Sequence, residues 1–165
     1  MLASSQADPR DRMPLGLKSQ AVTLIGMPGS GKTYYGKRLA ALLDVPHLDT
    51  DDLIASVIGV PVSDLADLLG KDEFLRLEGR VVETIRPFRG VISTGGSVVY
   101  SEAAMRHLKS FSQVVFLHLG INELVRRCNQ GPRGIVGDPF GSHFYERMRL
   151  YSKYMDWGIG VAASG

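Results

Sequence analysis

The segment Gly26-Met27-Pro28-Gly29-Ser30-Gly31-Lys32-Thr33 constrains this chain more than any other. It fits G-x-x-x-x-G-K-[ST], a loop whose backbone N–H groups wrap around nucleotide phosphates. Its flanks fit too. Ala21-Val22-Thr23-Leu24-Ile25 is a short apolar run of the kind that forms a buried parallel strand. Residues 32–44 carry a helical pattern, with Leu39, Ala40, Leu42 and Leu43 among polar neighbours. Strand, glycine loop and helix together aim amides and a helix N-terminus at an anion. In such a loop Lys32 reaches the β- and γ-phosphates, and the Thr33 hydroxyl is placed to ligate Mg²⁺.

The rest of the chain agrees with that start. Apolar runs at 21–25, 46–48, 90–94, 113–118 and 158–162 alternate with helical patterns at 32–44, 51–59, 62–69, 72–86, 101–109, 121–129 and 142–156. This alternation predicts an α/β fold with a parallel sheet. At 165 residues the chain is read as one domain spanning 19–165. Residues 1–18 are polar and without periodicity, and are expected to be a disordered tail, with Met13 an alternative start. A helix covering the sheet is expected after the last strand, and the sequence ends without one.

A net charge of +2, with Lys and Arg scattered, gives no basis for a nucleic-acid partner. No apolar stretch approaches the roughly 18 residues of a membrane span. Cys128 is the single cysteine, so no intrachain disulfide or cysteine metal site is possible, which suits a reducing, cytoplasmic setting. A monomer without membrane contact is expected.

Three further segments carry chemistry. Asp49, Asp51 and Asp52 follow the second strand. On extended backbone, residues i and i+2 point the same way, so Asp49 and Asp51 are predicted to face the crevice beyond the strand ends. One could hold Mg²⁺ through water and the other take a proton from a substrate hydroxyl; alternatively all three are helix caps. Asp52 would start a helix. Gly95 and Gly96 close the third strand, either as a tight turn or as a place for a ligand to approach the backbone. Residues 130–142, with four glycines and two prolines, form a long loop whose one cation is Arg133; such loops are often active-site lids. Arg126 and Arg127 end a helix, as dipole partners or nucleotide contacts. His47, His107, His118 and His143 show no ligand spacing.

These segments together resemble the shikimate kinases: GMPGSGKTYYGKRLA, LDTDDLIA, FLRLEG, VISTGGSVV, VVFLHLGINELVRRC and RMRLYSKYMD occur in that family's order and spacing over roughly residues 20–157. The resemblance implies a P-loop NTPase-like three-layer α/β/α fold with a five-stranded parallel sheet. It implies an ATP- and Mg²⁺-dependent transfer of the γ-phosphoryl to the 3-hydroxyl of shikimate. Gly29, Ser30, Gly31, Lys32, Thr33 and Tyr34 would bind ATP, with Arg127 against the adenine. Thr33 and Asp49 would hold Mg²⁺. Lys32, Asp51 and Arg133 would be catalytic, Asp51 as base and Arg133 as the lid arginine over the transferring phosphate. Asp51, Gly95, Gly96 and Arg147 would bind the acceptor, Arg147 on its carboxylate.

The departures cluster on the acceptor side. The family's F-R-x-x-E has Phe74 and Glu78 here, but Leu75 in place of the arginine that forms the second clamp on the carboxylate. The third glycine is Ser97, the lid's R-P-L-L is Arg133-Gly134-Ile135-Val136, and the proline before Leu-Tyr is Arg149. Arg76 is one helical step away, about 100° around the axis. If shikimate is the acceptor, Arg76, Arg147 or Arg149 must compensate. Otherwise the chain is a same-fold kinase for another small hydroxyl compound (gluconate-like or similar), or a nucleotide-binding module without catalysis.

Overall fold

A computed structural model describes residues 21–130 and 142–161. Five parallel strands make one sheet in the order β2-β3-β1-β4-β5. They are β1 (Ala21–Ile25), β2 (His47–Asp49), β3 (Val91–Ser93), β4 (Ser112–His118) and β5 (Trp157–Gly160). The helices are α1 (Lys32–Leu43), α2 (Thr50–Ile58), α3 (Val62–Leu69), α4 (Lys71–Glu83), α5 (Glu102–Lys109), α6 (Ile121–Gln130) and α7 (Ser142–Tyr154). A short 3-10 turn spans Val98–Tyr100.

The central strand β1 is buried at every position because layers cover both its faces. Val22 and Leu24 pack with Val91, Val115, Leu117 and Ala40 of α1 on one side. Ile25, Ile92, Val114 and Phe116 pack on the other with Val82 of α4, Met105 and Leu108 of α5 and Tyr151 of α7. A third cluster, Ile54, Leu65 and Val81, joins α2 and α3 to α4. The predicted three-layer arrangement is therefore present. On the edge strand β5, Trp157 and Ile159 stand beside Val115 and Leu117 in register and remain about half exposed.

The strand and helix bounds follow local chemistry. Asp44, in left-handed conformation, ends α1, and Pro46, lacking an N–H, delays β2 to His47. Asp49 ends β2 and also caps α2, its Oδ1 accepting the Asp51 N–H at 3.0 Å. This corrects the extended-backbone argument for Asp51. Thr50 is already helical, so Asp51 lies in the first turn of α2 and the two carboxylates are not strand neighbours. Asp52 also lies in that turn; the capping residue is Asp49. The tail 1–18, Arg133 and nearly all of the 130–142 loop lie outside the described residues.

Candidate active site

All the chemistry converges beyond the carboxyl ends of β1, β2 and β3. The loop after β1 turns through Gly29 and Gly31, whose φ of 78° and 93° favour glycine. Gly31 caps α1, so Lys32 and Thr33 are its first residues. Behind it, the Ser93 hydroxyl donates to the Lys32 carbonyl at 2.9 Å and pairs with His47 Nε2 at 2.9 Å. Desolvation holds His47 below its ordinary pKa, so a neutral Nε2–H donor is the form that fits. This network ties the start of α1 to β3 and β2.

Lys32 is buried, and its ammonium donates to the carbonyls of Gly26 and Met27 at 2.8 and 2.9 Å. Burial pulls its pKa down to about 8, opposed by the carboxylates of Asp51 and Asp49. An anionic ligand in the loop would raise it again. The Thr33 hydroxyl donates to Asp49 Oδ2 at 2.7 Å, bringing the two expected Mg²⁺ contacts together. Tyr34 is exposed on α1 and accepts from Arg38 at 3.0 Å. Arg127 lies across the loop, donating to Gly29 O at 3.4 Å and to Glu123 Oε1 at 2.7 Å. Glu123 is drawn down to about 2 by hydrogen bonds from Arg126 and Arg127, and so orients Arg127 while Arg126 turns outward. Arg127 thus lies beside the glycine loop as well as in the last turn of α6.

On the acceptor side, Gly95 and Gly96 run past α2, α4 and the phosphate loop. A Cβ on Gly95 would stand 2.3 Å from Glu78 Oε1 and 3.0 Å from Asp51 Oδ1; a Cβ on Gly96 would stand 2.7 Å from Pro28. Neither position accepts a side chain without displacement, because Glu78, Asp51 and Pro28 already pack against the glycine pair. The Gly95 N–H donates to the Thr50 hydroxyl at 3.0 Å, and Tyr151 donates to Gly96 O at 2.6 Å. Asp51 is the foremost charge partner of Lys32, which puts a carboxylate between the phosphate loop and the glycine pair.

Glu78 is the residue whose environment the pattern of the chain understated. It is 1% exposed, its Oε2 accepts from Ser97 Oγ at 2.6 Å, and its Oε1 has no hydrogen-bond partner among the described residues. Desolvation raises its pKa to about 7, partly offset by the Ser97 hydrogen bond and the cations Arg147 and Lys32. One signal was present in the sequence: α4 buries Val81 and Val82 and packs Phe74 and Leu77 inward, and Glu78 is a charged residue on that same inner stripe. Ser97, noted as a departure, is the partner that holds it.

Arg147, from α7, is half-buried, lies 5.6 Å from the Tyr100 ring centre, and has a buried Nε without a partner among the described residues. The alternatives to it face away. Arg76 is exposed and paired with Glu73 on the outer surface of α4, and Arg149 is exposed on α7. Leu75 is half-buried at the position of the missing guanidinium. The other histidines are accounted for locally: His107 contacts Ile85 O at 2.7 Å, His118 is exposed, and His143 contacts Lys71 and Glu146.

A sequence model of the shikimate kinase family matches residues 28–160. A shikimate kinase of Mycobacterium avium is 41% identical over 137 residues, 79% of this chain and 77% of that protein. One of Corynebacterium jeikeium is 36% identical over 147 residues, 86% of this chain and 79% of that protein. The crystal structure of shikimate kinase from Aquifex aeolicus matches with a TM-score of 0.69 at 28% identity, covering 85% of each chain. The enzyme from Acinetobacter baumannii, solved in complex with shikimate, shares the fold at a TM-score of 0.76 and 24% identity, over 88% of this chain and 85% of its own.

Proposed function

The chain belongs to the shikimate kinase family, and from that premise we propose that it transfers the γ-phosphoryl of ATP to the 3-hydroxyl of shikimate, giving shikimate 3-phosphate. The observation that carries the assignment is the position of Asp51, flanked by the Lys32 ammonium and the Gly95 backbone. A carboxylate so placed can receive the proton of an acceptor hydroxyl that faces a phosphate held in the loop.

Phosphoryl transfer needs positioning and charge stabilisation more than covalent help from the protein. The amides of Gly29 to Thr33 hold the phosphates. Lys32 exchanges the carbonyls of Gly26 and Met27 for phosphate oxygens. Asp51 orients the acceptor hydroxyl and takes its proton as the oxygen attacks. Gly95 and Gly96 let the acceptor lie against the backbone, and Arg147 meets its carboxylate. Arg133, from the loop over 130–142, closes on the transferring group and excludes water, while Arg127 contacts the base.

The Thr33 hydroxyl and the Asp49 carboxylate are hard oxygen donors 2.7 Å apart beside the phosphate loop. That small set suits Mg²⁺, which takes one or two protein oxygens and fills its shell with phosphates and water. When bound there, Mg²⁺ would supply neutralisation of phosphate charge. We read the protein as a cytoplasmic monomer that uses neither nucleic acid nor membrane; no described helix is long and apolar enough to cross a membrane.

One observation favours a second reading: Leu75 removes a guanidinium from the acceptor side, which fits a same-fold kinase whose acceptor lacks a carboxylate there. Asp51→Asn tests the common mechanism. At pH 7, where Lys32 stays charged, kcat is expected to fall by about 10²–10⁴ while the KM for ATP stays within about twofold of the parent. A variant that loses ATP affinity and keeps turnover would remove Asp51 from the acceptor side.

A further inference from the structure

Lys71 opens α4, and Lys71, Leu75 and Glu78 share one face of that helix. Steps of four and seven residues return to within about 40° and about 20° of the starting direction. The stripe descends from exposed Lys71 through half-buried Leu75 to fully buried Glu78. Lys71 Nζ lies 3.2 Å from His143 Nε2 and 5.9 Å from the centre of the Tyr100 ring. The Arg147 guanidinium lies 5.6 Å from the centre of that same ring. Two cations, one from α4 and one from α7, therefore share one aromatic ring.

The surrounding bonds hold Lys71 in this place. An ammonium donates only, so His143 Nε2 accepts, and its Nδ1–H faces Glu146 Oε2 at 3.4 Å. The Tyr100 hydroxyl donates to the same carboxylate oxygen at 3.2 Å. Glu146 thus orients both the imidazole and the ring that Lys71 touches. The ammonium has further donors to offer, and Arg147 has a buried Nε without a partner among the described residues. Lys71 is as exposed as Arg76 and Arg149, and what distinguishes it is its place beside the Tyr100 ring.

We propose that Lys71 is a specificity-determining contact of the acceptor subsite, joining Arg147 on the acceptor's carboxylate in place of a guanidinium at position 75. The proposal rests on the acceptor reading given above. The charge has moved one turn toward the mouth of the crevice, about 6 Å along the helix. It has also changed from a planar fork to a hydrated point charge. Recognition of the carboxylate is accordingly looser and more sensitive to salt than a buried fork would give.

The test compares the parent, Lys71→Gln and the double variant Lys71→Gln/Leu75→Arg. Each is assayed with shikimate and with the analogue whose carboxylate is reduced to a hydroxymethyl group, and shikimate binding is followed by calorimetry. Lys71 is exposed, so its replacement leaves the fold in place. Lys71→Gln is expected to raise the Kd and KM for shikimate about 3- to 10-fold, with the change in KM rather than kcat. The difference should shrink at high salt and vanish with the hydroxymethyl analogue. Leu75→Arg should restore shikimate binding in the double variant. Equal shikimate affinity in parent and Lys71→Gln, or equal losses with both acceptors, would overturn the proposal and leave the acceptor reading standing. Shikimate neither bound nor phosphorylated by the parent would overturn the acceptor reading itself, and the proposal with it.

Discussion

Replacing Glu78 by glutamine makes the stability of this protein nearly independent of a titration that the parent must undergo. Glu78 is 1% exposed, with one oxygen on Ser97 and the other without a partner among the described residues. Burial raises its pKa from 4.5 to about 7. In the unfolded chain the carboxyl ionises near 4.5; in the folded chain it keeps its proton until about pH 7. Between those values the folded state binds the extra proton, so stability falls as pH rises. The contribution is fully present below pH 4.5 and lost as pH climbs through 7. At about 1.4 kcal/mol per pH unit, that window is worth about 3 kcal/mol.

Glu78→Gln keeps the size and an oxygen for Ser97, and cannot ionise. Any cost of its buried amide is the same at every pH, so the difference between variant and parent isolates the ionisation. Urea unfolding of both proteins from pH 4.5 to 8 should show the variant gaining on the parent by about 3 kcal/mol across that range. A flat difference would mean that Glu78 titrates as an ordinary glutamate and that the desolvation argument for it is wrong.

Lys32→Ala removes a preorganised donor to the transferring phosphoryl group and should lower kcat by about 10²–10³ without unfolding the protein, as read by steady-state kinetics beside circular dichroism. Unchanged turnover would dismiss the phosphate loop as the reaction site. Arg133→Ala should lower kcat on the order of 10²-fold while leaving shikimate affinity near the parent value; a loss confined to the shikimate KM would move Arg133 from the phosphate to the acceptor.

The phosphate loop and its flanks were legible because everything they need is local: a buried strand, glycines at left-handed positions and a helix start lie within Ala21–Leu43. Asp51 was legible as a residue and misread as geometry. Alternation along a strand predicts that Asp51 points with Asp49, whereas the Asp49 cap starts a helix one residue earlier and places Asp51 in the first turn of α2. The roles of Glu78 and Lys71 were not legible from local pattern. A glutamate on an apolar helix stripe reveals its burial only when Gly95 and Ser97 close over it. Lys71 acquires meaning only where α7 brings His143 beside it and Arg147 to the same Tyr100 ring. Both are consequences of which elements the fold brings together, and Leu75 alone gave no sign of where a replacing charge would come from.

The central claim is a phosphoryl transfer to one acceptor, and ADP release measured with Mg-ATP and a panel of shikimate, gluconate, homoserine and nucleoside monophosphates tests it most directly. The structure predicts ADP release that depends on shikimate, with the phosphate appearing on its 3-hydroxyl by ³¹P NMR. Release supported by another member of the panel and not by shikimate, or no acceptor-dependent release at all, would contradict it.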